Sequence, residues 1–273
     1  MEKVNFGVTK RGEEASLYVL ENKNNTTIKV TDYGATLVSL LFADKAGVQK
    51  DLVLGYDNVT GYEEHISYFG AIIGRNGNRI KDSRFTINGK EYRIDENENH
   101  NNLHSGKNGF DTVIWEVREH TDNSITFYHY SSETEQKFPG NMEITVTYTI
   151  ADDDTLHIVY NGKADADTVM NCTNHSYFNL NGHESGSIED RYCRFSQMPI
   201  RQSWIQVRFR QERLHRWRER RWISEQKNRL DRISGQILNS FILQAVTITI
   251  MFSADQVRKR LWQTHTAGRV ELP

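Results

Sequence analysis

In the stretch ITVTYTI, residues 144–150, Ile144, Val146, Tyr148 and Ile150 alternate with Thr145, Thr147 and Thr149. Successive side chains of a strand point to opposite faces, so a period of two predicts a strand with one face buried and the other wet. Further upstream, RFTINGKEYRI sets Asn88-Gly89 between two β-prone runs. Asn-Gly tolerates positive φ at both central positions, which is what a two-residue type I′ hairpin turn requires. Further strands are expected at TIKVTDYGATLVSLLF, SITFYHYSS and TLHIVYNGKA, and no comparable stretch has helical spacing. An all-β fold follows, an antiparallel sandwich or barrel. At 273 residues the chain suits one large all-β domain or two ordinary ones.

The texture changes abruptly after Asp190. Residues 1–190 hold 17 Lys+Arg against 30 Asp+Glu, and residues 191–273 hold 17 against 6, so a net charge of −2 hides parts of −13 and +11. Of 21 Arg, 15 fall in the second part, but only 2 of the 18 Gly do, so the turn chemistry of the first part is missing there. The division is therefore residues 1–190, the β portion, and residues 191–273, an Arg-rich tail. The longest apolar-leaning run, FILQAVTITIMF, falls short of the roughly 20 residues that cross a bilayer. No membrane partner is expected. The N-terminus lacks the apolar core of a secretory signal, and Cys172 and Cys193 make no disulfide framework, so the cytoplasm is the expected compartment.

Three segments carry chemistry. In TNHSYFNLNG, residues 173–182, His175 stands among neutral hydrogen-bonding side chains at the end of a β-rich stretch, an acid or base near pH 7 where a polyol could bind. A core histidine tied into a polar network is the competing reading. LHSGKNGFDTVIWEV adds His104 in a Gly-rich loop, and GRNGNRI adds Arg75 and Arg79 in a turn-rich one. The glycines of GRNGNRI do not make a phosphate loop, because no strand–loop–helix frame with Lys-Ser/Thr surrounds them.

Together these segments resemble the galactose mutarotase family, the aldose 1-epimerases. The family's marks stand in order: YGATLVSL, DLVLGYDN, GRNGNRI, LHSGKNGFDTVIWEV, FPGN and NHSYFNL. Gly77 stands where Ala is usual, and Ser105 where a second Gly is usual. The resemblance covers residues 1–190 and implies an antiparallel β-supersandwich, here incomplete at its C-terminal end, with an open cleft for a small-molecule sugar, an aldohexose. It implies interconversion of α and β anomers. The C1 hydroxyl loses a proton, the ring oxygen gains one, and the ring opens, turns about C1–C2 and recloses, with no metal and no cofactor. By the same resemblance His175 is the acid, His104 orients the sugar beside it, and Asn78 and Arg79 hold sugar hydroxyls.

In the family the base is a late Glu, and a sugar-binding Asp sits in a Tyr-Asp-His-Asn motif. The six acids of residues 191–273, Glu212, Glu219, Glu225, Asp231, Asp255 and Glu271, lack those neighbours. A shifted reading frame explains why. Trp222-Ile223 is TGG-AT, so the overlapping codon is GAT, Asp; Met251-Phe252 gives GTT, Val. With third-base freedom QAVTITIMF decodes to G-G-Y-D-H-N-Y-V, which contains the missing motif. The tail thus reads as an out-of-frame translation of the family's C-terminal part. A nucleic-acid patch would explain the basic charge but not the latent motif, so no nucleic-acid partner is expected. Two functions stand: an aldose 1-epimerase, or a damaged sugar-binding remnant with no catalysis.

Overall fold

The computed structural model of the chain describes residues 1–44, 46–65, 67–186 and 188, and beyond these the backbone of three short strands. The chain divides into two compact units, Met1–His183 with Ile242–Pro273, and Glu184–Phe241. The first unit opens with an antiparallel meander of β1 (Glu2–Val8), β2 (Glu14–Glu21), β3 (Thr27–Thr31), β4 (Thr36–Ala43) and β5 (Gln49–Asp51). A short helix, α1 (Val59–Glu64), follows; the Asn58 side chain caps it by accepting the Gly61 N–H at 3.1 Å. Four small elements come next: β6 (Ile72–Ile73), β7 (Arg79–Ile80), and the hairpin of β8 (Arg84–Ile87) with β9 (Lys90–Arg93). As Asn88-Gly89 predicts, both turn residues have positive φ, 51° and 76°.

After β10 (Asn102–Leu103) the chain builds a second antiparallel sheet of β11 (Glu116–His120), β12 (Ser124–Ser131), β13 (Met142–Ile150) and β14 (Thr155–Ala164). The two-residue β15 (Thr173–Asn174) returns to pair with β6. In the second unit the described elements are β16 (Tyr192–Arg194) and β17 (Trp204–Gln206), which pair with each other. Back in the first unit, β18 (Val246–Met251) adds to the free edge of β14, with Ile158 opposite Ile248. The break at residue 190, the out-of-frame reading and the missing Glu concern residues that, apart from these three strands, lie outside those described.

The alternation read at residues 144–150 is the burial pattern of β13, with Met142, Ile144, Val146, Tyr148 and Ile150 inward. They share one apolar cluster with Ile125 and Phe127 of β12, Leu156 and Ile158 of β14, and Leu20, Ile28, Val30, Leu37 and Leu40 of the first sheet. The core is thus the layer where two antiparallel sheets face each other, an all-β sandwich. Burying one such aliphatic side chain stabilises the fold by roughly 1.5–3 kcal/mol. Polar ties run between the sheets as well: the Tyr148 hydroxyl donates to the Ala35 carbonyl at 2.7 Å, and the Asn22 amide donates to the Ala151 carbonyl at 2.7 Å. Among the described residues no helix is long and apolar enough to cross a membrane.

Candidate functional site

The segment between Gly70 and Ile80 gathers the candidate residues. At one end β6 pairs with β15, so the His175 N–H donates to the Ala71 carbonyl at 2.9 Å. At the other end β7 pairs with β10, and the His104 N–H donates to the Asn78 carbonyl at 3.0 Å. Both imidazoles therefore hang from opposite ends of one short stretch. Its middle is fastened by Arg75, which is fully buried. The guanidinium donates to Ser131 Oγ at 3.0 Å and to the carbonyls of Ser131, Pro139 and Gly140 at 2.7, 3.2 and 2.8 Å. Its own carbonyl accepts the Asn171 N–H at 2.7 Å, which ties the strand leading to His175 to the same anchor. Burial holds the guanidinium below its usual pKa.

The His104 and His175 rings meet edge to face, with centroids 5.2 Å apart and planes at 89°. Tyr68 lies against both, at 4.8 Å from His104 and 5.6 Å from His175. His104 Nδ1 accepts the Asn78 N–H at 3.0 Å. An acceptor Nδ1 leaves the proton of the neutral ring on Nε2, so the free nitrogen of His104 is a donor. Burial first, then the neighbouring His175 and Arg79, lowers the His104 pKa to about 4, so the ring is neutral at pH 7. Strain concentrates here too. Tyr68, Asn78, His104 and Ser105 all have φ between 54° and 68°, a region that non-glycine residues enter at a cost.

Asn78 and Arg79 stand beside His104, whose ring accepts the Asn78 N–H. The Arg79 guanidinium donates to the Asn78 Oδ1 at 3.3 Å and is held by Glu98, with its closest contact at 2.6 Å. Glu98 and Tyr68 are the neighbours that sequence reasoning missed. Neither lies in a motif with a period or a recognisable spacing; the signal for Tyr68 was only its place two residues before Gly70. An open cavity of about 400 Å³, lined by Tyr92, Glu133, Thr134, Lys137, Phe138 and Pro139, includes none of the site residues. Chemically the site offers one neutral imidazole donor, a second imidazole, an amide and a guanidinium, a set suited to hydroxyls and a ring oxygen. Among the described residues no carboxylate is hydrogen-bonded to either ring.

A family model described as aldose 1-epimerase matches residues 16–247. The chain is 42% identical over 164 residues to the galactose mutarotase of Mus musculus and 38% identical over 176 residues to the aldose 1-epimerase of Haemophilus influenzae. These matches cover 60% and 64% of this chain and 47% and 51% of the relatives, so it spans about half the length of the curated relatives it matches. Among solved structures it resembles an aldose epimerase homologue from C. elegans, at a TM-score of 0.59 and 36% identity, over 60% of this chain and 51% of that one. A galactose 1-epimerase from Lactobacillus acidophilus shares the fold, at a TM-score of 0.58 and 23% identity, over 65% of this chain and 52% of that one.

Proposed function

Because the chain belongs to the aldose 1-epimerase family, we propose that its His104–His175 cleft takes an aldohexose of the galactose or glucose type and works on the anomeric carbon. The fixed tautomer of His104 carries this reading. A neutral ring whose Nδ1 is occupied by the Asn78 N–H presents its Nε2 proton to a sugar oxygen and holds it without competing for the reaction's proton. His175, one ring away, is the acid that protonates the ring oxygen as the C1 hydroxyl is deprotonated. Opening gives the aldehyde, rotation about C1–C2 turns its other face, and the reverse proton transfers close the other anomer. Asn78 and Arg79 hold hydroxyls away from the reacting carbon, with Glu98 fixing the guanidinium's direction.

The base is the remaining part. The family places it on a late Glu, and the codon overlaps after Asp190 support a chain in which that Glu has been read out of frame. A second reading stands on those overlaps: a sugar-binding remnant without catalysis. The test is polarimetric. α-Galactose relaxing to its anomeric equilibrium is followed with the 273-residue chain and with a frame-restored version. A positioned acid or base typically contributes roughly 10²–10⁴-fold, so the chain as given is expected to trail the restored one by at least that factor. Equal rates would refute the out-of-frame account, and no relaxation by either would refute the epimerase reading.

A further inference from the structure

Between β9 and β10 the chain runs DENENHN, residues 95–101, and each carboxylate of this loop has an ionisable partner. Asp95 takes the Lys137 ammonium at 2.5 Å, Glu96 faces the His100 ring at 3.3 Å, and Glu98 takes the Arg79 guanidinium. The loop is braced from within. The Asn97 amide donates to the Leu103 carbonyl at 2.9 Å and its Oδ1 accepts the Leu103 N–H at 2.7 Å, while the Asn102 amide donates to the Asp95 carbonyl at 2.8 Å. Leu103 is also the residue opposite Arg79 where β10 pairs with β7, so one residue braces the loop and backs the strand that carries the guanidinium. Glu98 grips that guanidinium along one edge. Nε reaches the two carboxylate oxygens at 3.1 and 3.0 Å, and Nη2 reaches Oε1 at 2.6 Å. Nη1 donates to Asn78 Oδ1 at 3.3 Å, which leaves one N–H on each of Nη1 and Nη2 for a sugar. Each partner holds the other's charge in place: the Glu98 carboxyl lies below its usual pKa range and the Arg79 guanidinium above its own, chiefly through the bond between them.

A two-point carboxylate–guanidinium pair offers hydrogen-bond donors without net charge. A sugar hydroxyl needs only the donors. A carboxylate or phosphate carried by the sugar would need the charge as well, and beside Arg79 it meets the negative charge of Glu98 instead. Nor does His104 supply a cation, since its ring is neutral at pH 7. We propose that Glu98 is a specificity-determining residue: by neutralising Arg79 it makes the cleft accept uncharged aldoses and turn away sugars that carry a carboxylate or a phosphate. It acts through Arg79 and not on the reacting atoms, and the proposal rests on the reading of the cleft as an aldose site.

The test compares the affinity of the full chain for galactose and for galacturonate, which differ only at C6, by ligand-observed NMR titration at pH 7 and low ionic strength. The parent should prefer galactose by on the order of tenfold or more. Glu98→Gln keeps an oxygen for the guanidinium and removes the charge. It should improve galacturonate relative to galactose by on the order of tenfold, a gain that shrinks as salt is added. Glu98→Asp, which keeps the charge, should keep the parent's preference, and so should Glu96→Gln, which removes a carboxylate of the same loop that faces His100 and not Arg79. If galactose binds and Glu98→Gln leaves the ratio of the two affinities unchanged, or Glu96→Gln shifts it equally, the role of Glu98 is overturned and the site reading survives. A parent that binds galacturonate as well as galactose overturns it in the same way. If the folded parent binds neither sugar, both fall together.

Discussion

Replacing Asp111 by Asn should stabilise the protein at pH 8 and leave it nearly unchanged at pH 4. The carboxyl sits on the 3₁₀ turn Phe110–Thr112, which follows the loop that carries His104 in the chain, and its Oδ1 is buried without a hydrogen-bond partner. The fit is tight: a Cβ on Gly109 would collide with Asp111 Oδ1 and come within 2.9 Å of the His104 carbonyl. Burial pushes the carboxyl up to about 7 from its ordinary 3.8. A carboxyl with a raised pKa keeps its proton in the folded state between about pH 4 and 7 while the unfolded chain has lost it. Its contribution to stability is therefore greatest below pH 4, falls as pH rises through that window, and stays flat above 7. A rise of that size corresponds to about 4 kcal/mol as a ceiling, and the surface the residue still shows reduces this to about 1–3 kcal/mol. Urea melts of parent and Asp111→Asn at pH 4, 6 and 8 measure it. A gain that grows with pH supports the reasoning; a variant less stable than its parent at pH 8 refutes it, because the carboxylate would then have a partner that rewards its charge.

Three further outcomes are expected. Arg75→Met should cost on the order of 3 kcal/mol or more in a melt, since it strands the buried carbonyls of Ser131, Pro139 and Gly140; a neutral result would mean that water replaces the guanidinium. A ¹⁵N-edited histidine titration should find His104 neutral, with its proton on Nε2, at pH 6 and protonating only near 4; a midpoint near 6.5 would remove the argument for a fixed donor. Restoring one base near the Asp190 codon should open a frame that encodes Tyr-Asp-His-Asn and then a late Glu, and resequencing that finds only stops there would end the out-of-frame account.

What could be read from the sequence follows from how each element is stabilised. β13 and β14 stood out because they are long and half-buried, so burial writes a period of two into the chain. The Asn88-Gly89 turn stood out because its backbone needs residues that accept positive φ. β1 did not: as an edge strand it buries only Phe6 and has no alternation to read. The four strands that build the site, β6, β7, β10 and β15, are two residues each, too short for any period, and their pairing is decided by the tertiary structure around Arg75. His104, His175, Asn78 and Arg79 were therefore reachable through motif resemblance and not through pattern. Tyr68 and Glu98 needed coordinates, because nothing local marks a tyrosine as lying against two imidazoles.

The central claim is that His175 delivers the proton that opens the ring, and one substitution tests it. His175→Asn in the frame-restored chain keeps a polar side chain of similar reach but cannot give a proton to the ring oxygen. Polarimetric relaxation of α-galactose should slow by roughly 10²–10⁴-fold, with the fold intact by its melt. A variant that folds and relaxes the sugar at its parent's rate would show that the acid lies elsewhere.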